Sequence, residues 1–171
     1  FQEVTSGRTG YQKFVGLDVE LEAPHGLAGP VVMDATVIQS DGFRFVYLLP
    51  WDARRVLIED TYYSGSPQLS VEHLKKEIHF YAVRRGWKIQ HVHRVEVGCL
   101  PIPLQISNTQ EPKVPSIGVR GGFFNLTTGY SVPDAVATVN RIAQVSRWTP
   151  EAVHAALAPL KKHHRSQARF Y

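Results

Sequence analysis

Cysteine occurs once in the 171 residues, as Cys99. A single cysteine excludes an internal disulfide framework and agrees with a reducing compartment. Cys99 lies between Gly98 and Leu100 in an apolar run, where a buried packing role is expected rather than a nucleophile. No apolar run has the roughly 20 residues of a membrane-spanning helix, and no signal-peptide pattern opens the chain. Charge is modest as well. Charged residues make up 20% and hydrophobic ones 43%, the balance of an ordinary globular protein with a sizeable core. The formal charge of +4 favours anionic partners such as a phosphate cofactor, a membrane surface or nucleic acid, without choosing among them. The length suits one domain or one and a half. The first residue is Phe rather than Met, which suggests a piece of a longer protein.

What is present begins with alternation. Lys13 to Leu21 places Val15, Leu17, Val19 and Leu21 against Gly16, Asp18 and Glu20, the pattern of a strand with one wet face. Pro30 to Val37 reads as a second strand, and Ser40-Asp41-Gly42 as a tight turn. Phe43 to Leu49 and Arg55 to Thr61 are two further strands, joined by the breaker Pro50-Trp51-Asp52-Ala53. Four successive strands with short connections predict an antiparallel sheet.

The last of these strands ends on two acids. In extended chain Leu57, Glu59 and Thr61 share one face, while Val56, Ile58 and Asp60 share the other. Both faces carry apolar residues, so a central strand covered on both sides is expected. Carboxylates there must be solvated, paired or protonated. One reading is an exposed strand end or a pair with Arg44, Arg54 or Arg55. The other is an acid in an apolar pocket with a raised pKa, ready to give up a proton.

Beyond the sheet, Ser70 is placed to cap a helix reaching about Arg85, with Val71, Leu74, Ile78, Tyr81 and Ala82 as its stripe and Gly86 as its C′ residue. His73 and His79 on this helix lack i, i+4 spacing and read as exposed residues. Trp87 to Leu104 reads as a strand or strand pair; His91 and His93 share a face but have no third ligand at a recognisable spacing, so no metal site is expected. A glycine-bearing segment, Gly118 to Ser131, then feeds a helix from about Val132 to Val145, with Ser131 as cap and Ala135, Val136, Val139, Ile142 and Ala143 as its buried stripe. A glycine loop at a helix start suits an anion, or is simply a tight turn. Thr149-Pro150-Glu151 starts a last helix with Val153, Ala156, Leu157 and Leu160 inward, running into the basic stretch Lys161 to Arg169. That stretch is either a solvated helix end or a contact for an anionic bilayer.

Several segments together resemble the bacterial-type lycopene β-cyclases. They are Q-K-F-V-G-L (Gln12 to Leu17), V-M-D-A-T-V (Val32 to Val37), D-G-F-R-F-V-Y-L-L-P (Asp41 to Pro50), L-I-E-D-T-Y-Y-S (Leu57 to Ser64), G-C-L-P-I (Gly98 to Ile102) and V-R-G-G-F-F-N-L-T-T-G-Y-S-V-P-D-A-V (Val119 to Val136). They follow the family's order and cover nearly the whole chain. The resemblance implies an α+β fragment of a two-domain, FAD-dependent fold like that of the aromatic hydroxylases, in which a Rossmann-type domain is interleaved with an antiparallel substrate-binding sheet. The family's opening G-x-G-x-x-G is absent, so the chain is expected to hold the substrate sheet (1–113), the flavin-facing glycine loop and helix (114–146) and a C-terminal helix with a basic tail (147–171).

The same resemblance implies a reaction. The ends of lycopene are closed into β-ionone rings with reduced FAD and no net redox change, NAD(P)H serving as reductant. Such chemistry protonates a very weakly basic alkene and later loses a different proton, which calls for an acid in a dry cavity. Glu59 is the expected proton donor, Asp60 a supporting acid on the opposite face, and Asp34 a further candidate. Phe45, Tyr47 and Trp51 are candidates for π faces around the cation. Arg120, Gly121, Gly122, Thr128 and Gly129 are the expected flavin contacts. A peripheral, cytoplasmic membrane location with no nucleic-acid partner follows, and the chain alone is expected to be inactive. The alternatives are another flavoenzyme on this fold, such as a hydroxylase or prenyl reductase, and a non-catalytic basic domain binding a membrane or nucleic acid.

Overall fold

The hairpin around Pro50 to Ala53 forms as its sequence suggests. In the computed structural model, which describes residues 9–103, 113–125 and 128–167, strands β3 (Phe43–Pro50) and β4 (Arg55–Ser64) pair antiparallel from Phe43↔Tyr63 to Pro50↔Val56. The turn is closed by Asp52, whose Oδ1 accepts the backbone N–H groups of Arg54 and Arg55 at 2.8 Å each. That is the Asx geometry for which Asp is favoured in turns.

Strands β1 (Thr9–Leu21), β2 (Val31–Asp34) and β5 (Ile89–Pro103) complete a five-stranded antiparallel sheet in the order β2-β3-β4-β1-β5. Together with the helices this is the expected α+β class. Sequence neighbours β1 and β2 are not sheet neighbours: β1 crosses to lie against β4, from Tyr11↔Ser64 to Glu20↔Arg55. β1 is therefore a central strand, and the expectation of a wet face on it is corrected. Gly16 and Asp18 are buried along with the apolar residues, Asp18 being paired with Arg55 (Oδ2–Nη2 2.8 Å). β2 is shorter than the Pro30 to Val37 run suggested. Met33 sits at φ 62°, a left-handed conformation that breaks the strand, and the register slips between Val31 and Asp34.

Helix α1 (Val71–Arg84) covers one face of the sheet. Its Leu74, Ile78, Tyr81 and Ala82 pack with Val15, Leu17 and Val19 of β1, Val46 and Leu48 of β3, and Val56 and Ile58 of β4. Each such side chain contributes on the order of 1.5–3 kcal/mol when fully buried, so this layer fixes the sheet. Gly86 takes φ 72° just past the helix, as a C′ glycine should. Ser70 occupies the N-cap position but makes no side-chain capping bond. His73 and His79 are exposed. Cys99 is exposed rather than buried, because β5 is an edge strand; its Sγ lies 3.6 Å from the Pro67 carbonyl.

The chain divides into two compact units, Gly10–Pro101 and one made of Phe1–Thr9 with Ile102–Tyr171. In the second, a 3₁₀ turn (Gly118–Gly121) precedes helices α2 (Val132–Ile142) and α3 (Pro150–Gln167). α2 packs against α3, and His164 Nε2 meets Asp134 Oδ1 at 2.9 Å. The expected inward stripe of α2 is corrected: Val136 and Val139 are 57% and 62% exposed, and the buried residue is Thr138. Ser131 again holds the N-cap position without a side-chain cap. On α3 the inward choice holds, with Leu157 fully buried.

Candidate active site

Strand register decides which side chains share the face of Glu59. Gly16 on β1 and Tyr47 on β3 flank it directly. The adjacent rows on that face are Phe14, Thr61 and Phe45 on one side and Asp18, Leu57 and Leu49 on the other. This is the face opposite α1. It is lined by aromatic rings: Phe45, fully buried, stands 5.1 Å from Tyr47 edge-on, 5.8 Å from Tyr63 and 5.5 Å from Phe43. Such tilted and edge-to-face contacts are favourable ring arrangements. On the other flank Gly16 presents bare backbone; a Cβ there would stand 3.2 Å from Leu57 Cδ1 and 3.6 Å from Glu59 Cβ and Cγ.

Glu59 is half-buried in this setting. Burial pushes its carboxyl above the ordinary value; a hydrogen bond from Thr61 Oγ1 to Oε1 (3.0 Å) opposes the shift, and the charge of Glu96 adds to it. The net direction is toward the protonated form, the form an acid catalyst uses.

Asp60 points the other way and is inaccessible to solvent. It accepts from Arg44 Nε at 2.8 Å and Nη2 at 2.9 Å, and Tyr62 Oη lies 3.4 Å from it. Arg44 also pairs with Glu77 at 3.0 Å. Burial pushes the Asp60 carboxyl up and the guanidinium works against it; in two-point contact with a fixed cation the pair is ionic. The Tyr62 hydroxyl is pushed up to about 12 by burial and by the Asp60 charge. Asp60 is therefore a member of the α1-side network and does not share a surface with Glu59.

Asp34 ends β2 in a different cluster. Its Oδ2 accepts from Tyr81 Oη (2.5 Å) and Arg85 Nη2 (3.1 Å), its Oδ1 from Thr36 N (3.0 Å) and Oγ1 (2.6 Å). Burial alone would raise its pKa, but these donors hold the carboxyl far below the usual range. An acid so held is an anion that ties β2 to α1. Trp51, at the hairpin tip, is 57% exposed and stands apart from the ring cluster around Phe45.

In the second unit Gly118, Gly122 and Gly129 all adopt positive φ (60°, 76° and 73°). Gly121 has a packing reason to be glycine, since a Cβ would fall 2.2 Å from the Ser116 carbonyl oxygen. Gly118 and Gly122 are different: a Cβ at either would meet nothing within 4 Å, so their backbone is bare and open to a flat group. The Asn125 side chain accepts the Thr128 N–H at 3.0 Å, and Asn125 N–H donates to Tyr130 O at 2.8 Å. These bonds fold the segment into a tight loop ahead of α2. Arg120 is exposed at its rim. Leu126 and Thr127 lie outside the described residues. A glycine-rich turn with two open backbone positions, Gly118 and Gly122, and an exposed guanidinium fits a planar, anionic cofactor.

The residues that the strand pattern did not single out are Gly16 and Glu96. Their signal was faint: one glycine inside an otherwise branched strand, which marks a close approach of neighbouring groups.

Comparison with known proteins decides the family. The family model described as lycopene cyclase protein matches residues 1–171. The chain belongs to the lycopene cyclase family. It is 46% identical over 144 residues to the lycopene beta-cyclase of Pseudescherichia vulneris, 39% over 165 to that of Pantoea ananas and 44% over 143 to that of Paracoccus sp. (strain N81106 / MBIC 01143). These alignments take in 82%, 95% and 80% of this chain but only 37%, 43% and 36% of the relatives. The chain thus spans about two-fifths of the length of the curated lycopene cyclases it matches. Among the described residues no helix is long and apolar enough to cross a membrane.

Proposed function

We propose that the full-length protein is a lycopene β-cyclase in which Glu59 delivers the proton that starts ring closure. The observation that carries this reading is the Glu59 carboxyl itself: half-buried beside a wall of aromatic rings, and pushed by burial toward its protonated form. An alkene is so weak a base that it needs a neutral acid held at short range in a water-poor site. The proton passes from Glu59 to a terminal double bond of lycopene. The resulting cation is attacked by a second double bond of the same molecule to close the ring, and a different proton then leaves. Atoms and charge balance without net oxidation, so the reaction is an isomerisation. Tyr47 and Tyr63, which are partly exposed while Phe45 is fully buried behind them, offer π faces to the cation, each worth roughly 0.5–2 kcal/mol.

In this reading the chain is the substrate sheet and part of the flavin side of a two-domain FAD-dependent fold. Arg120, Gly121, Gly122, Thr128 and Gly129 would hold the cofactor, Gly122 through its open backbone and Arg120 by favouring the anionic form. Reduced FAD, kept reduced with NAD(P)H, would supply negative charge when bound. Asp34 and Asp60 are left as structural anions. A substrate as apolar as lycopene resides in lipid, so peripheral membrane association is part of the proposal.

The test is expression of the full-length protein in lycopene-accumulating cells with Glu59 intact or replaced. The unaltered protein is expected to turn red cells orange, Glu59→Gln to leave them red, and Glu59→Asp to convert slowly. Equal conversion by the intact protein and Glu59→Gln removes Glu59 from the reaction.

A further inference from the structure

Between Glu59 on β4 and the edge strand β5 lies only β1, and the β1 residue level with Glu59 is Gly16. One contact locates the part of β5 that lies beside Gly16, and a second gives the direction of the strand. A Cβ on Gly98 would fall 2.3 Å from Phe14 Cε1, so the Phe14 ring lies over the bare backbone of Gly98. At the other end Glu22 N–H donates to Lys88 O at 2.9 Å. Numbers fall along β5 as they rise along β1, and two residues from the Phe14–Gly98 contact stand Gly16 and Glu96. By the two-residue period Gly16 shares Phe14's face and Glu96 shares Gly98's. Cys99, on the alternate face of β5, reaches toward Pro67, beside the Ser66 and Gln68 carbonyls that bind Lys13, itself alternate to Phe14. Glu59 and Glu96 therefore face each other across one glycine, with Cα atoms about 10 Å apart at ordinary strand spacing.

The groups around Glu59 in the sheet unit are few. Thr61 donates to it from its own strand, and Tyr47 flanks it directly on β3. On β1, Asp18 is tied to Arg55 and Glu20 to Arg54 and His93. On β5, Glu96 pairs with Arg94 at 2.5 Å. Asp60, Arg44 and Glu77 belong to the opposite face.

We infer that Glu96 is a positioning residue for the proton donor: a carboxylate set across Gly16 that keeps Glu59 in its neutral, proton-bearing form. A like charge at this range disfavours ionisation of its neighbour, and Arg94 holds the Glu96 side chain in place while partly screening it. The inference rests on the proposal that Glu59 gives up the proton. It also explains the glycine, since any side chain at position 16 would stand between the two acids.

The experiment is the pH profile of lycopene conversion by the purified full-length protein, whose alkaline limb reports deprotonation of Glu59. Glu96→Gln is expected to move that limb to lower pH by roughly half a unit to one unit, the size set by one charge at about 10 Å in a partly screened site. Arg94→Gln is expected to move it the other way, and Glu96→Asp to leave it near its original place. A purely structural role would change rate or yield without opposite displacements of the limb. An unmoved limb in folded Glu96→Gln, checked by circular dichroism, overturns the inference, as does movement in the same direction as Arg94→Gln. If Glu96→Gln does not fold, an unmoved limb in Arg94→Gln is decisive in the same sense. Glu59→Gln run alongside separates the two ideas: conversion by that variant refutes the proton donor, whereas its inactivity with unmoved limbs refutes only the role of Glu96.

Discussion

Arg44 and Asp60 meet in a two-point ion pair, Nε to Oδ1 at 2.8 Å and Nη2 to Oδ2 at 2.9 Å, with both side chains almost wholly buried. They sit on neighbouring central strands, β3 and β4, directly beneath α1. Asp60 is next to Glu59 in the chain, yet both members of the pair have their side chains on the other side of the sheet.

Removing one member of this pair leaves a buried charge without its partner, which typically costs about 3–5 kcal/mol. Asp60→Asn and Arg44→Met should each lower stability by an amount in that range, read as a fall in the denaturation midpoint of the purified protein. The double replacement should cost less than the sum. Additive losses would show that the two side chains do not depend on each other.

The Phe14–Gly98 contact predicts a second coupling. Gly98→Ala places a methyl group where the Phe14 ring already lies, and overpacking of that kind costs on the order of 1–3 kcal/mol. Phe14→Leu removes the obstruction, so the alanine should be tolerated better in that background than alone. A double-mutant cycle of thermal midpoints measures the difference. Equal penalties in both backgrounds would mean that the ring and the glycine are not in contact.

Much of this architecture was legible because period-two alternation is a local signal. β1, β3, β4 and the division of Glu59 from Asp60 follow from side-chain direction alone. Gly86 was legible for a similar reason, since a glycine past the last apolar residue of a helix has one common use. Strand order was not local. Nothing in β1 says that it will pair with β4 rather than β2, and the burial of Asp18 follows only once that pairing and its Arg55 partner exist. Cys99 and the α2 valines were misread for the converse reason: their apolar neighbours suggested a core, but an edge strand and a helix flank leave them open to solvent. At the candidate site the acid was visible in the sequence, whereas Gly16 and Glu96 gain meaning only from the register of three strands.

The glycine loop separates two kinds of replacement. Gly121→Ala forces a Cβ to within 2.2 Å of the Ser116 carbonyl oxygen, so the turn must move. Gly122→Ala meets no neighbouring atom but must hold φ near 76°, a strain of about 1–2 kcal/mol for a residue with a Cβ. If this loop holds FAD, flavin absorbance retained through gel filtration of the full-length protein should drop steeply for Gly121→Ala and more mildly for Gly122→Ala. Full retention by both would place the cofactor elsewhere.

Asp34 gives the chain a defined sensitivity to acid. Thr36, Tyr81 and Arg85 hold its folded-state pKa far below the unfolded value of about 3.9. A carboxyl shifted in that direction contributes stability that is fully present above the unfolded value. The contribution is lost as pH falls below about 3.9 and onward toward the folded value, because the unfolded chain then binds the proton more readily. Asp34→Asn should therefore destabilise the protein at neutral pH and flatten its stability profile below pH ~4, with little change in slope between pH ~5 and ~7. Tyr81→Phe should show the same effect in part, since it removes one of the donors. Urea denaturation midpoints measured across that range provide the check, and a profile for Asp34→Asn parallel to that of the unaltered protein at every pH would show that the cluster does not hold the carboxyl ionised.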